Sequence, residues 1–426
     1  MSSPSTSRYY KDNWPRNADN NLEWDGKDLW ILHAKGLSPF RNDWDLSLLI
    51  CEVEENLKTS IVDIPYIGKG SNSYGFHLKT AEGRDLIGRL SCGDVNVPNF
   101  DGFPFDMQCQ DVQFEVDAYS LLQSKPAVLA SHLLYHRLPV LHPEPRTKHP
   151  ADIQGRRLLL FEKSPGKTNV WDELNDVQQH HLLTQAASMR AALFNLQLPD
   201  NFTAKWLLSR LFEQKPKKLP NPAFTRDFTL ELVRSKIEAT IKNIGDMIGW
   251  EDDHEVVGPV AYAAKQSLLR LLPYIVPRLK NLEEEEAIYR LVLDHGDWGI
   301  HNMTITPAGD ITSVFDWDVG SITPALLSDP LMAILVDLVT DGNGAPTIIR
   351  THPTHTEAEQ KYFQKCSEHY FKVLFAKAPS YHHAIILGKD LRHLWFALRD
   401  WRGENPEGYF GELGIWAEEK YRMFSV

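Results

Sequence analysis

LVLDHGDWGIHNMTITPAGDITSVFDWDVG, residues 291–320, gathers three oxygen-bearing side chains around a hairpin. Asp297 stands in His295-Gly296-Asp297, Asn302 follows five residues later, and Asp316 comes nineteen residues after Asp297. The runs 302–306 and 311–317, joined by Pro307-Ala308-Gly309-Asp310, carry a strand pair with Gly at the bend. Pairing them brings Asn302 and Asp316 together, because each lies near an open end of the hairpin. Phosphoryl transfer asks little covalent chemistry of a protein and much positioning and charge neutralisation. It needs a carboxylate beside the attacking hydroxyl and oxygen ligands that hold Mg²⁺ on nucleotide phosphates. One rigid element with this spacing supplies both.

The stretch resembles the active-site loop of the aminoglycoside/choline phosphotransferase (APH) family, and among its members the divergent fungal-like ones. The family pattern is H-G-D-x-x-x-x-N, then D-W-[DE]-x-G-x-x-x-P. The matching residues are His295, Gly296, Asp297 and Asn302, then Asp316, Trp317, Asp318, Gly320 and Pro324. That family is related to protein kinases, whose H-R-D-x-x-x-x-N and D-F-G motifs follow the same logic. The resemblance implies an α+β, bilobal, protein-kinase-like fold with a small β-rich N-terminal lobe and a large, mainly helical C-terminal lobe. It implies ATP (or GTP) as co-substrate, Mg²⁺, and a small-molecule acceptor bearing a hydroxyl. Carried over by position, Asp297 is the catalytic Asp, Asn302 and Asp316 are the metal ligands, and His295 shapes the loop.

Upstream, the periodicity agrees with that order. Residues 45–58 place Leu46, Leu49, Ile50, Val53 and Leu57 at helical spacing. Short β-rich runs follow at 61–67, 73–80 and 85–91, separated by Gly-containing turns, then a helix at 111–124 and an apolar strand at 156–161. The small residues of the 68–75 segment, among them Gly68, Gly70, Ser71 and Asn72, let backbone approach phosphate oxygens. Its last glycine is displaced from the G-x-G-x-x-G pattern. Arg89 occupies the third-strand position where the kinase-like fold usually has Lys, and its fork can grip phosphate bidentately. Glu115 on the following helix is its natural partner, with Asp111 and Asp117 as neighbours in other registers. Residues 161–164, including Glu162 and Ser164, are the expected hinge against an adenine edge.

Downstream, helical spacing covers 177–196, 259–280, 325–338, 357–375 and 382–401, and the acidic run 283–286 reads as a solvated helix end. The expected organisation is an N-terminal extension (1–42, draped through Trp24, Trp30 and Leu32), a nucleotide lobe (43–162) and a helical lobe (163–426). The acceptor surface would draw on the later helices. Their aromatics Trp206, Phe212, Trp395, Phe396, Trp401 and Trp416 read more readily as core than as a pocket. The acids Asp390, Asp400, Glu404 and Glu407 read equally as helix ends or as partners of an ammonium.

Composition closes off other classes. The chain of 426 residues has 42% apolar and 24% charged residues, an ordinary globular mix. Its net charge of -12 argues against nucleic acid and would suit a cationic acceptor. No apolar run reaches the roughly 18 residues that a membrane span needs, and the polar, Ser-rich start does not read as a secretory signal. Four scattered cysteines fit buried, reduced thiols in a cytoplasmic protein. Two rival readings remain. A protein kinase is disfavoured by Trp317-Asp318 after Asp316 and by a helix expected directly after Pro324. A catalytically silent nucleotide-binding scaffold has Arg89 and the irregular glycine loop on its side, and the intact Asp297, Asn302 and Asp316 against it. Oligomeric state is open at this level.

Overall fold

A computed structural model describes residues 11–17, 21–98, 100, 102–143, 151–211, 215–241, 254–400 and 405–424. The chain divides into two units, Met1–Pro165 with Ser313–Asp318, and Gly166–Thr312 with Val319–Val426.

The first unit is built on one antiparallel sheet. Helix α1 (Leu29–Ala34) and helix α2 (Leu46–Leu57) precede strands β1 (Ile61–Lys69), β2 (Ser73–Thr80) and β3 (Asp85–Ser91). Helix α3 (Phe105–Gln123) then leads to β4 (Leu133–Arg137) and β5 (Leu158–Glu162), giving the sheet order β1-β2-β3-β5-β4. Helix α2 starts where the Asp45 side chain accepts the Ser47 N–H at 2.9 Å, an N-cap that satisfies one orphan donor. Along β2 alternate residues Tyr74, Phe76 and Leu78 are buried, as a strand with one covered face requires. Phe40, Trp44, Leu49 and Val53 join them in a single cluster, with the Phe40 and Trp44 rings stacked at 4.8 Å. Each such side chain contributes about 1.5–3 kcal/mol by burial. The Ser313–Asp318 segment is bound here by backbone: Val314 N–H donates to Leu129 O at 2.6 Å, and Ser131 N–H donates to Val314 O at 3.0 Å.

Helix α3 begins six residues before the 111 expected from sequence. Pro104 opens it, and residues 105–110 alternate apolar and polar (Phe105, Met107, Cys109), a period of two that does not announce a helix. Strand β5 is buried along Leu158–Leu159–Leu160–Phe161, as the apolar run required.

The second unit is mainly helical: α4 (Asp176–Asn195), α5 (Asp200–Trp206), α6 (Arg226–Thr240), α7 (His254–Ile275) and α8 (Leu282–Tyr289). Strands β6 (Leu291–Asp294), β7 (Met303–Ile305) and β8 (Ile311–Val314) follow, β8 running on into the segment that belongs to the first unit. Then come β9 (Ser321–Pro324), β10 (Met332–Ala333), β11 (Asp337–Thr340), β12 (Pro346–Ile349), α9 (Glu357–Lys377), α10 (Pro379–Leu387), α11 (Lys389–Asp400) and α12 (Pro406–Phe424). Helices α4 and α9 pack together, as do α7 and α12. Strand β6 pairs antiparallel with β9, Asp294 opposite Ser321.

The helix expected over 325–338 does not form. A single 3-10 turn, Ala325–Leu327, is followed by β10, β11 and β12, which make a three-stranded antiparallel sheet. Pro330 lacks an N–H and drives Asp329 towards extended backbone, and Val339 and Thr340 of β11 favour strand, so the 3.6-like spacing of leucines misleads. The ground against a protein kinase that rested on a helix directly after Pro324 is withdrawn with it. The helix expected over 382–401 is two, parted at Gly388, where a Cβ would lie 2.3 Å from Leu326 O. The thiols also differ from expectation: Cys92 and Cys366 are buried, but Cys109 is only half-buried and Cys51 is exposed. Among the described residues no helix is long and apolar enough to cross a membrane.

Candidate active site

In the first unit a closed ring of hydrogen bonds surrounds Asp316. Strand register places Arg89 opposite Gly75 on one side and Leu159 on the other. Its guanidinium spans two carboxylates, Nη1 donating to Glu115 Oε1 at 3.0 Å and Nη2 to Asp316 Oδ1 at 2.6 Å. The Tyr119 hydroxyl donates to the same Glu115 oxygen at 3.3 Å and accepts the Asp316 N–H at 3.1 Å. Asp316 takes φ 68°, a left-handed conformation uncommon for a residue with a Cβ. Contacts to both its backbone and its carboxylate over-determine that conformation, the usual way such strain is kept.

The electrostatics follow from burial. Glu115 is 1% exposed. Burial pushes its carboxyl up to about 7 against the pull of Arg89. Burial works against the Arg89 charge, but Glu115 and Asp316 more than offset it and keep the guanidinium protonated. Asp318 is raised by burial and by the neighbouring Asp316 charge.

The 68–75 loop is the β1–β2 turn. Gly68 pairs with Gly75, Gly70 N–H donates to Ser73 O at 3.1 Å, and Ser71 and Asn72 are exposed at the tip. Glu162, at the exposed end of β5, meets His132 at 3.1 Å, and Ser164 is half-buried beyond it.

In the second unit the loop after β6 carries Asp297. Gly296 has φ 81°, and a Cβ there would lie 2.4 Å from Val319 O, so the turn needs glycine. His295 is fully buried, with its ring 5.7 Å from that of Trp298. Asn302 Nδ2 donates to Asp297 O at 2.9 Å and to Asp297 Oδ2 at 3.0 Å. His301 Nε2 lies 2.9 Å from the same oxygen. The His301 hydrogen bond, with that of Asn302, keeps the Asp297 carboxyl below the usual carboxylate range despite partial burial.

Beneath this loop lies an ion pair that sequence reasoning missed. Arg190 on α4 donates through Nη2 to Asp294 Oδ1 at 3.0 Å, to the Tyr381 hydroxyl at 3.1 Å and to Asp329 O. Asp294 Oδ2 accepts from the Ser328 hydroxyl and the Asp329 N–H, each at 2.9 Å. Burial would raise the Asp294 carboxyl, but Arg190 and these donors hold it below the usual range. The available signal was a charged residue on the apolar face of α4, between Ala187 and Ala191. His301 was missed because a lone histidine beside Asn302 carries no pattern.

Of the aromatics considered for an acceptor pocket, Trp206 and Trp395 are buried. Phe212, Trp401 and Glu404 lie outside the described residues, as does the side chain of Asp400. Asp390 pairs with Lys420 at 2.9 Å.

Asp316 in the first unit and Asn302 in the second each carry side-chain oxygen, the hard donor that Mg²⁺ takes.

No family model and no curated protein matches the sequence. Among solved structures the chain is similar to ADP-bound aminoglycoside phosphotransferase APH(2'')-Ib, at 12% identity over 88% of this chain and 99% of that one, TM-score 0.44. It is also similar to the streptomycin–ATP complex of APH(2")-IIa, at 13% identity over 89% and 97%, TM-score 0.41. A third similar structure is macrolide 2'-phosphotransferase MphH from Brachybacterium faecium, at 12% identity over 89% and 96%, TM-score 0.38.

Proposed function

We propose that this chain is a phosphotransferase that moves the γ-phosphoryl group of ATP (or GTP) onto a hydroxyl of a small-molecule acceptor. The observation that carries this reading is the ring of Arg89, Glu115, Tyr119 and Asp316, which fixes a carboxylate and a forked cation in one place. Arg89 would bind nucleotide phosphate oxygens, with Glu115 setting its orientation. The 68–75 loop would cover the phosphates with backbone N–H groups, and residues 161–164 would face the base. Asn302 and Asp316 would hold Mg²⁺, which when bound supplies positive charge to the transferring phosphoryl group. Asp297 stays ionised through neutral pH and would orient or deprotonate the acceptor hydroxyl. His301 and Asn302 aim its carboxylate. The net charge of -12 favours a cationic acceptor, and free thiols fit a cytoplasmic setting.

A silent nucleotide-binding scaffold is the second reading. It is favoured by Arg89 engaging an Asp316 oxygen that a metal would otherwise use.

Calorimetric titration of ATP with and without Mg²⁺, beside Asp316→Ala, tests the first reading. Metal-dependent binding lost in the variant, followed by phosphate transfer to some member of a hydroxyl-compound panel, is the expected result. Binding that ignores both metal and substitution removes Asp316 from its role, and binding without transfer to any acceptor favours the scaffold.

A further inference from the structure

The glycine loop is not a free flap: residues from 11–17 and 21–27 touch it at its tip and on both of its strands. On the β1 side Lys69 Nζ meets Glu23 Oε1 at 2.7 Å. At the tip Lys11 Nζ donates to Ser71 O at 3.1 Å and to Asn72 Oδ1 at 2.8 Å. On the β2 side the Tyr74 hydroxyl donates to Asp12 Oδ2 at 3.0 Å. Backbone adds to this, with Asp12 N–H on Cys92 O and Cys92 N–H on Asn72 O, both at 3.0 Å.

These anchors differ in strength. Glu23 and Lys69 are both more than half exposed, so their pair contributes little. Asp12 is different: Arg156, 2% exposed, reaches it at 2.8 Å through Nη1 and at 3.0 Å through Nη2. Trp14 stacks on buried Trp24 at 5.8 Å and donates its Nε1–H to Trp24 O at 2.8 Å. At the far end Ile67 N–H donates to Gly26 O at 2.8 Å. Gly26 has φ 77°, and a Cβ would lie 2.2 Å from Ile67 O, so only glycine permits that approach. The segment thus holds the loop through Lys11, Asp12 and Glu23 while Asp12 and Gly26 tie it to the body of its unit.

We propose that residues 11–17 and 21–27 are a brace that sets the position of the 68–75 loop and, through it, the affinity for nucleotide. The second half of this statement rests on the reading of that loop as the phosphate cover. A loop that a ligand must order takes the ordering entropy out of the binding free energy. A loop already ordered by Lys11 and Asp12 does not, so weakening the brace weakens nucleotide binding without touching a residue that contacts nucleotide.

The test uses the full chain carrying Lys11→Met, Tyr74→Phe, which removes the hydroxyl bonded to Asp12 and leaves the Asp12–Arg156 pair intact, and, as the conservative partner, Lys11→Arg. Amide hydrogen exchange is followed by mass spectrometry without nucleotide, and ATP affinity by calorimetry with Mg²⁺. Loss of these bonds should speed exchange over 68–75 by about tenfold. Exchange in β5 should keep its original rate, Lys11→Arg should restore the loop, and the ATP Kd should rise in step with loop opening. Unchanged loop exchange in both variants overturns the brace, and so does acceleration spread equally into β5. Faster loop exchange at constant ATP Kd overturns the link to affinity. A parent protein that binds no ATP instead defeats the nucleotide reading, while the exchange experiment still decides the brace.

Discussion

Replacing Arg89 tests how its unit is held together. The guanidinium donates to Glu115 and Asp316, residues separated from each other by nearly half of the chain, through two different nitrogens. Lysine offers one ammonium, which cannot occupy both positions of the fork. Arg89→Lys should therefore lose one charge-assisted bond, about 1.5–3 kcal/mol. Arg89→Met leaves the buried Glu115 carboxylate uncompensated, and removing one partner of a buried pair costs about 3–5 kcal/mol. The deficit should also depend on pH. Burial already lifts Glu115 to about 7, and without the guanidinium it rises further. A carboxyl raised in the folded state favours folding below its unfolded value and loses that contribution as pH rises through its folded value. The Met deficit relative to the parent should thus widen between about pH 6 and about pH 9. Urea unfolding at several pH values measures this. A Met variant as stable as the Lys variant, or a deficit flat across pH, refutes Glu115 as the buried partner whose charge Arg89 compensates.

Four further outcomes are expected. Arg190→Met strands buried Asp294 and should cost about 3–5 kcal/mol in urea unfolding. Because Asp294 is held below the usual range, its contribution is present above its unfolded value and lost as pH falls through its folded one, so Asp294→Asn should flatten the acid limb of the stability profile. Gly296→Ala forces a Cβ onto Val319 O at positive φ and should destabilise by at least about 1–3 kcal/mol, read as a lowered Tm; an unshifted Tm removes the steric argument. Asp297→Asn should lower phosphate transfer by about 10²–10⁴-fold with folding intact, and near-parental turnover removes Asp297 from the chemistry.

What the sequence could tell depended on whether a local signal existed. Helix α2 and strands β1 to β3 have clean periods, and their limits fall within two residues of expectation. Arg89 and Glu115 were paired from their places on a strand and the next helix, and the structure joins them at 3.0 Å. The three-stranded sheet after Pro324 was illegible because short apolar strands imitate a helical period when their partners are unknown. Arg190 and Asp294 are 104 residues apart and meet only when α4 and β6 pack, so no local pattern records them. The grip of Lys11 and Asp12 on the loop is likewise a tertiary fact written in two unremarkable polar residues.

The division of the first unit into Met1–Pro165 and Ser313–Asp318 has a consequence during synthesis. A ribosome that has finished residue 165 must add 153 more (318 − 165) before the last piece of that unit exists. At cellular elongation rates this takes roughly 8–30 s. Through that interval the nascent sheet lacks the segment that docks on residues 129–131, and Tyr119 has no Asp316 amide to receive. The first part of the chain to be made is therefore not the first to be complete, and the growing polypeptide carries an unfinished, chaperone-accessible sheet for most of the time the second unit is being written.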